Sequence, residues 1–124
     1  MFNIDMSSRE FAGHGVVALR GKLDAADAPG VASYLITAAA VYGPRVIVDL
    51  AGLEHIDSAG LGVLVQALKR TRRSGGDVPL AAPQDMVRKL LIATGLINVF
   101  SVYPSVEQAM RGAEEARRLQ PTAR

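Results

Sequence analysis

The segment spanning residues 46–74 constrains the fold of this chain more than any other part of it. It opens with an apolar, β-branched run at 46–48, which is typical of a strand covered on both faces. A short loop follows, and apolar residues then recur at helical spacing, at Leu61, Leu64, Val65 and Leu68. The pattern predicts a buried strand, a loop and a long helix.

Asp57 and Ser58 stand where the predicted loop becomes the predicted helix. The spacing predicts Ser58 as the helix N-cap, because its hydroxyl can accept a hydrogen bond from an unpaired N–H of the first turn. Capping alone would explain a serine here. However, Gly60 and Gly62 each cost roughly 1 kcal/mol relative to alanine in a helix, and Ala59 carries only a methyl group. These small residues indicate a surface that a large partner can approach closely.

Three parts of the sequence resemble one known family. The string DSAGLG at 57–62, after the strand at 46–50, resembles the signature of the STAS family, specifically the bacterial anti-sigma factor antagonists of the phosphorylatable-serine type. The segment 21–24, GKLD, resembles the Gly-x-Leu-Asp segment of that family. Segments 95–97, 99–103 and 105–110 resemble its closing helix, strand and helix, so that the likeness covers about residues 12–112.

The resemblance implies a switch protein that is not an enzyme. Ser58 would be phosphorylated by a partner anti-sigma factor that is itself a serine kinase, and a phosphatase would remove the phosphate. Asp24 and Asp57 would shape the site, and Asp24 would lie beside Ser58. The unphosphorylated form would bind the anti-sigma factor and free the sigma factor, through the run Ala59, Gly60, Leu61 and Gly62. The resemblance implies no catalytic residue, no metal and no cofactor.

Two positions depart from the family pattern. Ala59 replaces a second serine that is common in the family, which removes a rival phosphate acceptor. Lys22 stands where an acidic residue is frequent, so we expect less negative charge around the site.

Composition places the chain in a narrow class. Its 124 residues fit one domain, predicted as 1–124 with a flexible tail at 120–124. Hydrophobic residues make up 49%, and no apolar run approaches the roughly 20 residues that span a bilayer. The net charge of +2 argues against non-specific nucleic-acid binding. With no cysteine and no export signal at the start, we expect a soluble cytoplasmic protein, without nucleic-acid or membrane partners, as a monomer or weak dimer.

Strand and helix patterns alternate along most of the chain. Strands are predicted at 2–6, 16–19, 46–50, 78–82 and 99–103, with the first two antiparallel and a turn region at 7–15 that includes His14. Helices are predicted from Pro29 with Asp27 as cap, from Ser58, at 86–94, and after a cap at Ser105. We therefore predict an α/β fold, a single STAS-like domain. Its mixed sheet would have about five strands, mostly parallel with an antiparallel first edge strand, and helices mainly on one face.

Hydrolase and metal chemistry fit the sequence poorly. A nucleophile elbow needs glycine two residues before the serine, and that position is Ile56. The two histidines are His14, in the predicted turn, and His55, in the loop before Ser58. The carboxylates that could be considered for a metal or an acid/base pair lack metal-loop spacing; they are Asp24, Asp49, Glu54 and Asp57.

Two further interpretations stay open. The basic run at 69–73 is typical of a solvated helix end but could also contact an acidic partner or RNA. The competing function is a STAS-like module that binds a small ligand, a nucleotide or lipid, near Asp24 and Ser58, or that serves as a scaffold in a sensory complex.

Overall fold

The computed structural model describes residues 3–119, so the predicted tail at 120–124 and Phe2 of the predicted first strand lie outside the described residues. The α-helices in this part are α1 Ala28–Tyr42, α2 Ser58–Arg73, α3 Asp85–Ala93 and α4 Val106–Leu119. The strands are β1 Ile4–Phe11, β2 His14–Leu23, β3 Val46–Asp49, β4 Leu53–Ile56, β5 Leu80–Ala81 and β6 Val102–Tyr103, and a 3₁₀ turn covers Leu96–Asn98. The element order confirms the α/β prediction.

All six strands of the described region belong to one mixed sheet. Five of them follow the order β1-β2-β3-β5-β6, and β4 lies off this path beside β2. β1 pairs antiparallel with β2, and the other pairings are parallel. The loop predicted after the central strand contains a sixth strand, β4, which pairs with the last residues of β2 while β3 pairs with the earlier ones. The mixed, mostly parallel sheet with an antiparallel edge strand is thus confirmed, with six strands in the described region rather than about five.

The helices cover the two faces of the sheet unequally. α1, α2 and α3 pack on one face, where Val31, Leu64 and Val87 join a single core with Val17 and Val48. α4 packs on the opposite face, where its buried residues Val106 and Ala109 meet Val16 and Ile47. Successive strand residues point to opposite faces, so neighbouring valines and isoleucines serve two cores. Three of the four helices lie on one face, as predicted.

The first hairpin differs from its prediction. The region predicted as a turn, 7–15, is mostly strand, and the turn itself consists of Ala12 and Gly13, with φ of 52° and 83°. Two consecutive positive φ angles match the tight turns that suit the twist of a hairpin. The prediction that His14 lies in a surface turn is wrong, because His14 opens β2 and is only 1% exposed. Polar residues at 7–10 conceal this strand from pattern analysis, since both of its faces are exposed there.

The predicted caps of α4 and α1 have different outcomes. The prediction for Ser105 is confirmed: its hydroxyl accepts a hydrogen bond from the N–H of Gln108 at 3.1 Å. Asp27 occupies the N-cap position of α1, which confirms the predicted position of the cap, but its side chain makes no capping hydrogen bond.

The last two strands are shorter than predicted. Their ladders cover two residues each, because Pro79 lacks an N–H and because Phe100 donates its N–H back to Leu96 at 3.0 Å.

Within residues 3–119, no helix combines the length and apolar character that crossing a bilayer requires.

Candidate functional site

The carboxyl ends of β2 and β4 meet at one edge of the sheet. Leu23 and Ile56, the last residues of these parallel strands, are register partners. The chain leaves them through Asp24 and Asp57, and the N–H of Asp57 donates to the carbonyl of Leu23 at 3.2 Å. The topology therefore brings together two segments that are more than thirty positions apart in the sequence.

Asp57, and not Ser58, is the N-cap of α2. Its backbone is extended, with φ −106° and ψ −174°, and one carboxylate oxygen accepts the N–H of Gly60 at 2.9 Å. The other oxygen accepts the N–H of Ala25 at 3.2 Å. The prediction of Ser58 as the cap is wrong by one residue, because the aspartate before it supplies the capping oxygen. A second oxygen also lets the same carboxylate hold the neighbouring loop.

The hydroxyl of Ser58 is consequently not used as a helix cap. Ser58 is the first residue of α2 and is exposed to solvent, and its hydroxyl makes no hydrogen bond with any residue of 3–119. Gly60 and Leu61 donate their N–H groups to the side chain and the carbonyl of Asp57, respectively. The N–H groups of Ser58 and Ala59 have no acceptor in that part of the chain. Two unpaired donors at the positive end of a helix can bind an anion.

Asp24 organises its own turn. One of its carboxylate oxygens accepts the N–H of Ala26 at 3.0 Å and that of Asp27 at 3.4 Å. Its carbonyl accepts the N–H of Ala28 at 3.0 Å, where α1 begins. Asp24 therefore stands in the loop that Asp57 holds, but its carboxylate makes no hydrogen bond to Ser58.

The two glycines after Ser58 have different surroundings. Gly60 is buried, and a Cβ there would lie 2.7 Å from Cγ1 of Ile56 and 2.8 Å from Cγ of Leu23. Gly62 is exposed, and a Cβ there would meet nothing within 4 Å. The expectation of open surface holds for Gly62. For Gly60 it is wrong, because the absent side chain allows the helix to pack closely on the strand ends.

The remaining members of the predicted docking run also differ in exposure. Leu61 points into the core and is 6% exposed, whereas Ala59 is partly exposed. Ala59 and Gly62 are thus the accessible members of the run, and together with Ser58 they form the surface that we call the α2 docking face.

Sequence reasoning missed the contribution of Ala25. Its backbone N–H ties the Asp24 loop to Asp57, and a backbone donor leaves no side-chain signal in a sequence.

Within the described part of the chain, the charged residues near the site do not form a metal centre. The register places Lys22 opposite His55, both exposed, one position before the strand ends. Among residues 3–119, no group of three or more histidine and carboxylate side chains is placed to hold a metal ion.

Comparison with known proteins gives the family. The model of the STAS domain matches residues 5–109, which is most of the chain. The chain belongs to the STAS domain family. The resemblance seen at 57–62 and 21–24 is therefore confirmed over both the β2 end and the start of α2.

The relatives of this STAS domain carry names from one regulatory class. The anti-sigma-B factor antagonist of Listeria monocytogenes is 30% identical over 110 residues, which cover 89% of this chain and 95% of that protein. A relative in Thermotoga maritima is 36% identical over 74 residues, and these span only 60% of this chain and 63% of the relative. The prediction that this protein is not an enzyme agrees with the name of the Listeria relative, which describes an antagonist of an anti-sigma factor.

A solved structure supports the fold. The crystal structure of an anti-sigma factor antagonist from Mycobacterium paratuberculosis superposes with a TM-score of 0.81 and 24% identity. The superposition covers 90% of this STAS domain and 94% of that chain. At this identity the comparison concerns the architecture of sheet and helices.

Proposed function

We propose that this STAS domain is an anti-sigma factor antagonist that phosphorylation of Ser58 switches off. The unphosphorylated form binds an anti-sigma factor that is a serine kinase, and the sigma factor is released. The kinase transfers phosphate to Ser58, and a phosphatase restores the first form. These events take place in the cytoplasm, and this chain contributes the acceptor rather than any catalysis.

The observation that carries the proposal is the free hydroxyl of Ser58. It is exposed at the first position of α2, and Asp57 performs the capping that a serine in this place would otherwise perform. A kinase can therefore modify the hydroxyl without breaking a hydrogen bond that holds the helix. Partners reach it because Gly62, one turn further along α2, presents bare backbone.

The site tolerates a phosphate. Phosphorylation adds roughly −1.5 to −2 charge, and it places this charge at the positive end of the α2 dipole. The free N–H groups of Ser58 and Ala59 can donate to the phosphate oxygens. Because the modification satisfies groups that are otherwise unpaired, we expect the fold to survive it.

Phosphorylation of Ser58 weakens the binding of the partner protein. A protein packed on the α2 docking face must remove water from the phosphate, and any carboxylate it brings there is repelled. A penalty on the order of 3 kcal/mol weakens binding by more than about a hundredfold. The switch then needs no refolding of either protein.

Asp57 and Asp24 act by positioning. Asp57 holds Ser58 at the helix start through Gly60 and holds the adjoining loop through Ala25. Asp24 closes that loop through Ala26. Among residues 3–119, no hydrogen bond joins the carboxylate of Asp24 to Ser58, so we favour the phosphorylation switch over the alternative ligand site there.

Phosphorylation by the cognate kinase tests the site. Incubation with that kinase and ATP should add one phosphate, which mass spectrometry should map to Ser58. Ser58→Ala should abolish the addition, while Ser74→Ala, at an exposed serine just after α2, should leave it unchanged. A phosphate mapped to any other residue would refute the assignment.

Calorimetry tests the switch separately. Ser58→Asp should weaken the complex with the anti-sigma factor strongly, because it places a permanent charge on the α2 docking face. Ser58→Ala should retain binding within a few-fold, since it removes the hydroxyl without adding charge. If both variants bind like the wild type, the antagonist does not dock through this face.

A further inference from the structure

A second site lies at the opposite end of the sheet from Ser58. A cavity of about 390 Å³ opens between the second half of α4 and the first residues of the parallel strands. It is lined by Val46, the first residue of β3, and by His14, the first residue of β2. Its volume falls in the range of pockets that hold small molecules. We call it the α4 cavity.

The α4 cavity has an apolar wall and an open mouth. Ile47 is fully buried on the sheet side. The ring of Tyr103 packs directly against Gly112, where no side chain could be accommodated without moving the ring. Ala116, which is exposed, lies at the opening. Such a lining can hold the apolar or aromatic body of a ligand.

Charge around the cavity is predominantly positive. Three arginines line it against one carboxylate, that of Asp77. Arg72 approaches Asp77 to 3.6 Å, and Arg117 pairs with Glu114 at 3.0 Å. Arg45 makes no ion pair with any residue of 3–119, so one guanidinium has no anionic partner there.

A buried imidazole adds an independent observation. His14 is 1% exposed, and its Nδ1 lies 3.2 Å from the carbonyl oxygen of Ala12. Its Nε2 has no hydrogen-bond partner among the described residues, and the nearest carboxylate oxygen, on Glu114, is 3.6 Å away. A buried polar atom without a partner is unfavourable. His14 lines the α4 cavity, so a polar atom with an unmet hydrogen bond lies beside it.

We propose that the α4 cavity binds a small organic anion. Its carboxylate or phosphate group pairs with Arg45 and Arg117, and its apolar body lies against Tyr103 and Ala113. Guanidinium groups favour such oxyanions because they donate two parallel hydrogen bonds. The positive field also acts on Glu114: the hydrogen bond from Arg117 lowers its pKa, and the charges of Arg117 and Arg45 act in the same direction.

A set of three probes separates the parts of this proposal. Phenyl phosphate carries both the anion and the ring, inorganic phosphate carries the anion alone, and benzyl alcohol carries the ring alone. In NMR titrations of the whole chain, phenyl phosphate should bind tightest and should shift the amide signals of Ile47, Tyr103 and Gly112. If phenyl phosphate shifts none of these signals, or if benzyl alcohol binds as tightly, the proposal is overturned.

Variants then locate the binding. Arg45→Gln should weaken phenyl phosphate at least about tenfold, because one charge-assisted pair is lost. Ala116→Phe should block the mouth, and since residue 116 is exposed this variant should fold. Arg88→Gln, the same charge change at an exposed position of α3, is the matched control and should bind normally. Equal weakening by Arg88→Gln would show a non-specific charge effect and refute the site.

Binding should also be independent of the proposed switch. Ser58→Ala should bind phenyl phosphate as the wild type does, since Ser58 lies at the other end of the strands. If Ser58→Ala loses the probe, the anion binds at the helix start instead, and the α4 cavity is not its site.

Discussion

The carboxylate of Asp57 accepts the N–H of Ala25 at 3.2 Å and so joins two loops that leave neighbouring strands. The same side chain caps α2 through Gly60. One residue therefore sets both the start of the helix that carries Ser58 and the position of the loop beside it. Loss of this carboxylate should affect stability and the presentation of Ser58 together.

Substitution of Asp57 should show this double role. Asp57→Ala should lower the free energy of unfolding by about 1–2 kcal/mol, because the cap is lost and the N–H of Ala25 loses its acceptor. Asp57→Asn should cost less, since an amide oxygen can still cap Gly60. Urea denaturation measures both values. Wild-type stability in Asp57→Ala would contradict the role assigned to the carboxylate.

The glycine pair in α2 gives a matched comparison. Gly60→Ala should destabilise the protein by about 1–3 kcal/mol, because its Cβ would clash with Leu23 and Ile56. Gly62→Ala should stabilise it by up to about 1 kcal/mol, because alanine favours a helix and nothing lies within 4 Å. Thermal unfolding of the two variants should therefore shift in opposite directions. An unchanged or raised unfolding temperature in Gly60→Ala would mean that Gly60 is not closely packed.

Acid should remove one electrostatic contribution on α4. The hydrogen bond from Arg117 holds the pKa of Glu114 below its ordinary value of 4.5. A carboxyl group whose pKa is lowered by folding stabilises the folded state above its unfolded pKa, and this contribution is lost as the pH falls through the folded pKa. Wild type should thus be slightly more stable than Glu114→Gln near neutral pH, and the difference should vanish in acid.

An NMR titration of the Glu114 carboxyl carbon checks this prediction directly. Arg117→Gln should move the midpoint upward, because the dominant hydrogen bond is removed. A midpoint at or above 4.5 in the wild type would contradict the assignment.

Local patterns in the sequence were sufficient for much of the fold. The apolar run at 46–48 and the helical spacing after Leu61 correctly predicted β3 and α2, since burial on both faces and amphipathicity leave direct signatures. The cap at Ser105 was also predictable, because it acts over three residues. β4 was missed, because its four residues are buried, exposed, exposed and buried in turn, which is not the alternation of a strand, and because they pair only with the distant end of β2.

The candidate site, like the fold, was predictable in part from local patterns. The serine, its aspartate neighbour and the small residues after it stand consecutively at 57–62, so the sequence by itself determined which hydroxyl is the candidate and which family it resembles. It also determined the parallel arrangement, because strands and helices alternate. These features depend on neighbours a few positions apart.

Only the tertiary structure decided that Asp57 also holds the loop at Ala25, that Gly60 is buried while Gly62 is open, and that His14 lies inside. Each of these depends on a contact between distant segments: Ala25 on Asp57, Leu23 on Gly60, and α4 over the start of β2. A one-dimensional pattern records the preference of each residue for burial or helix. It does not record which other segment supplies the hydrogen bond or fills the space, because that is set by packing of the whole chain.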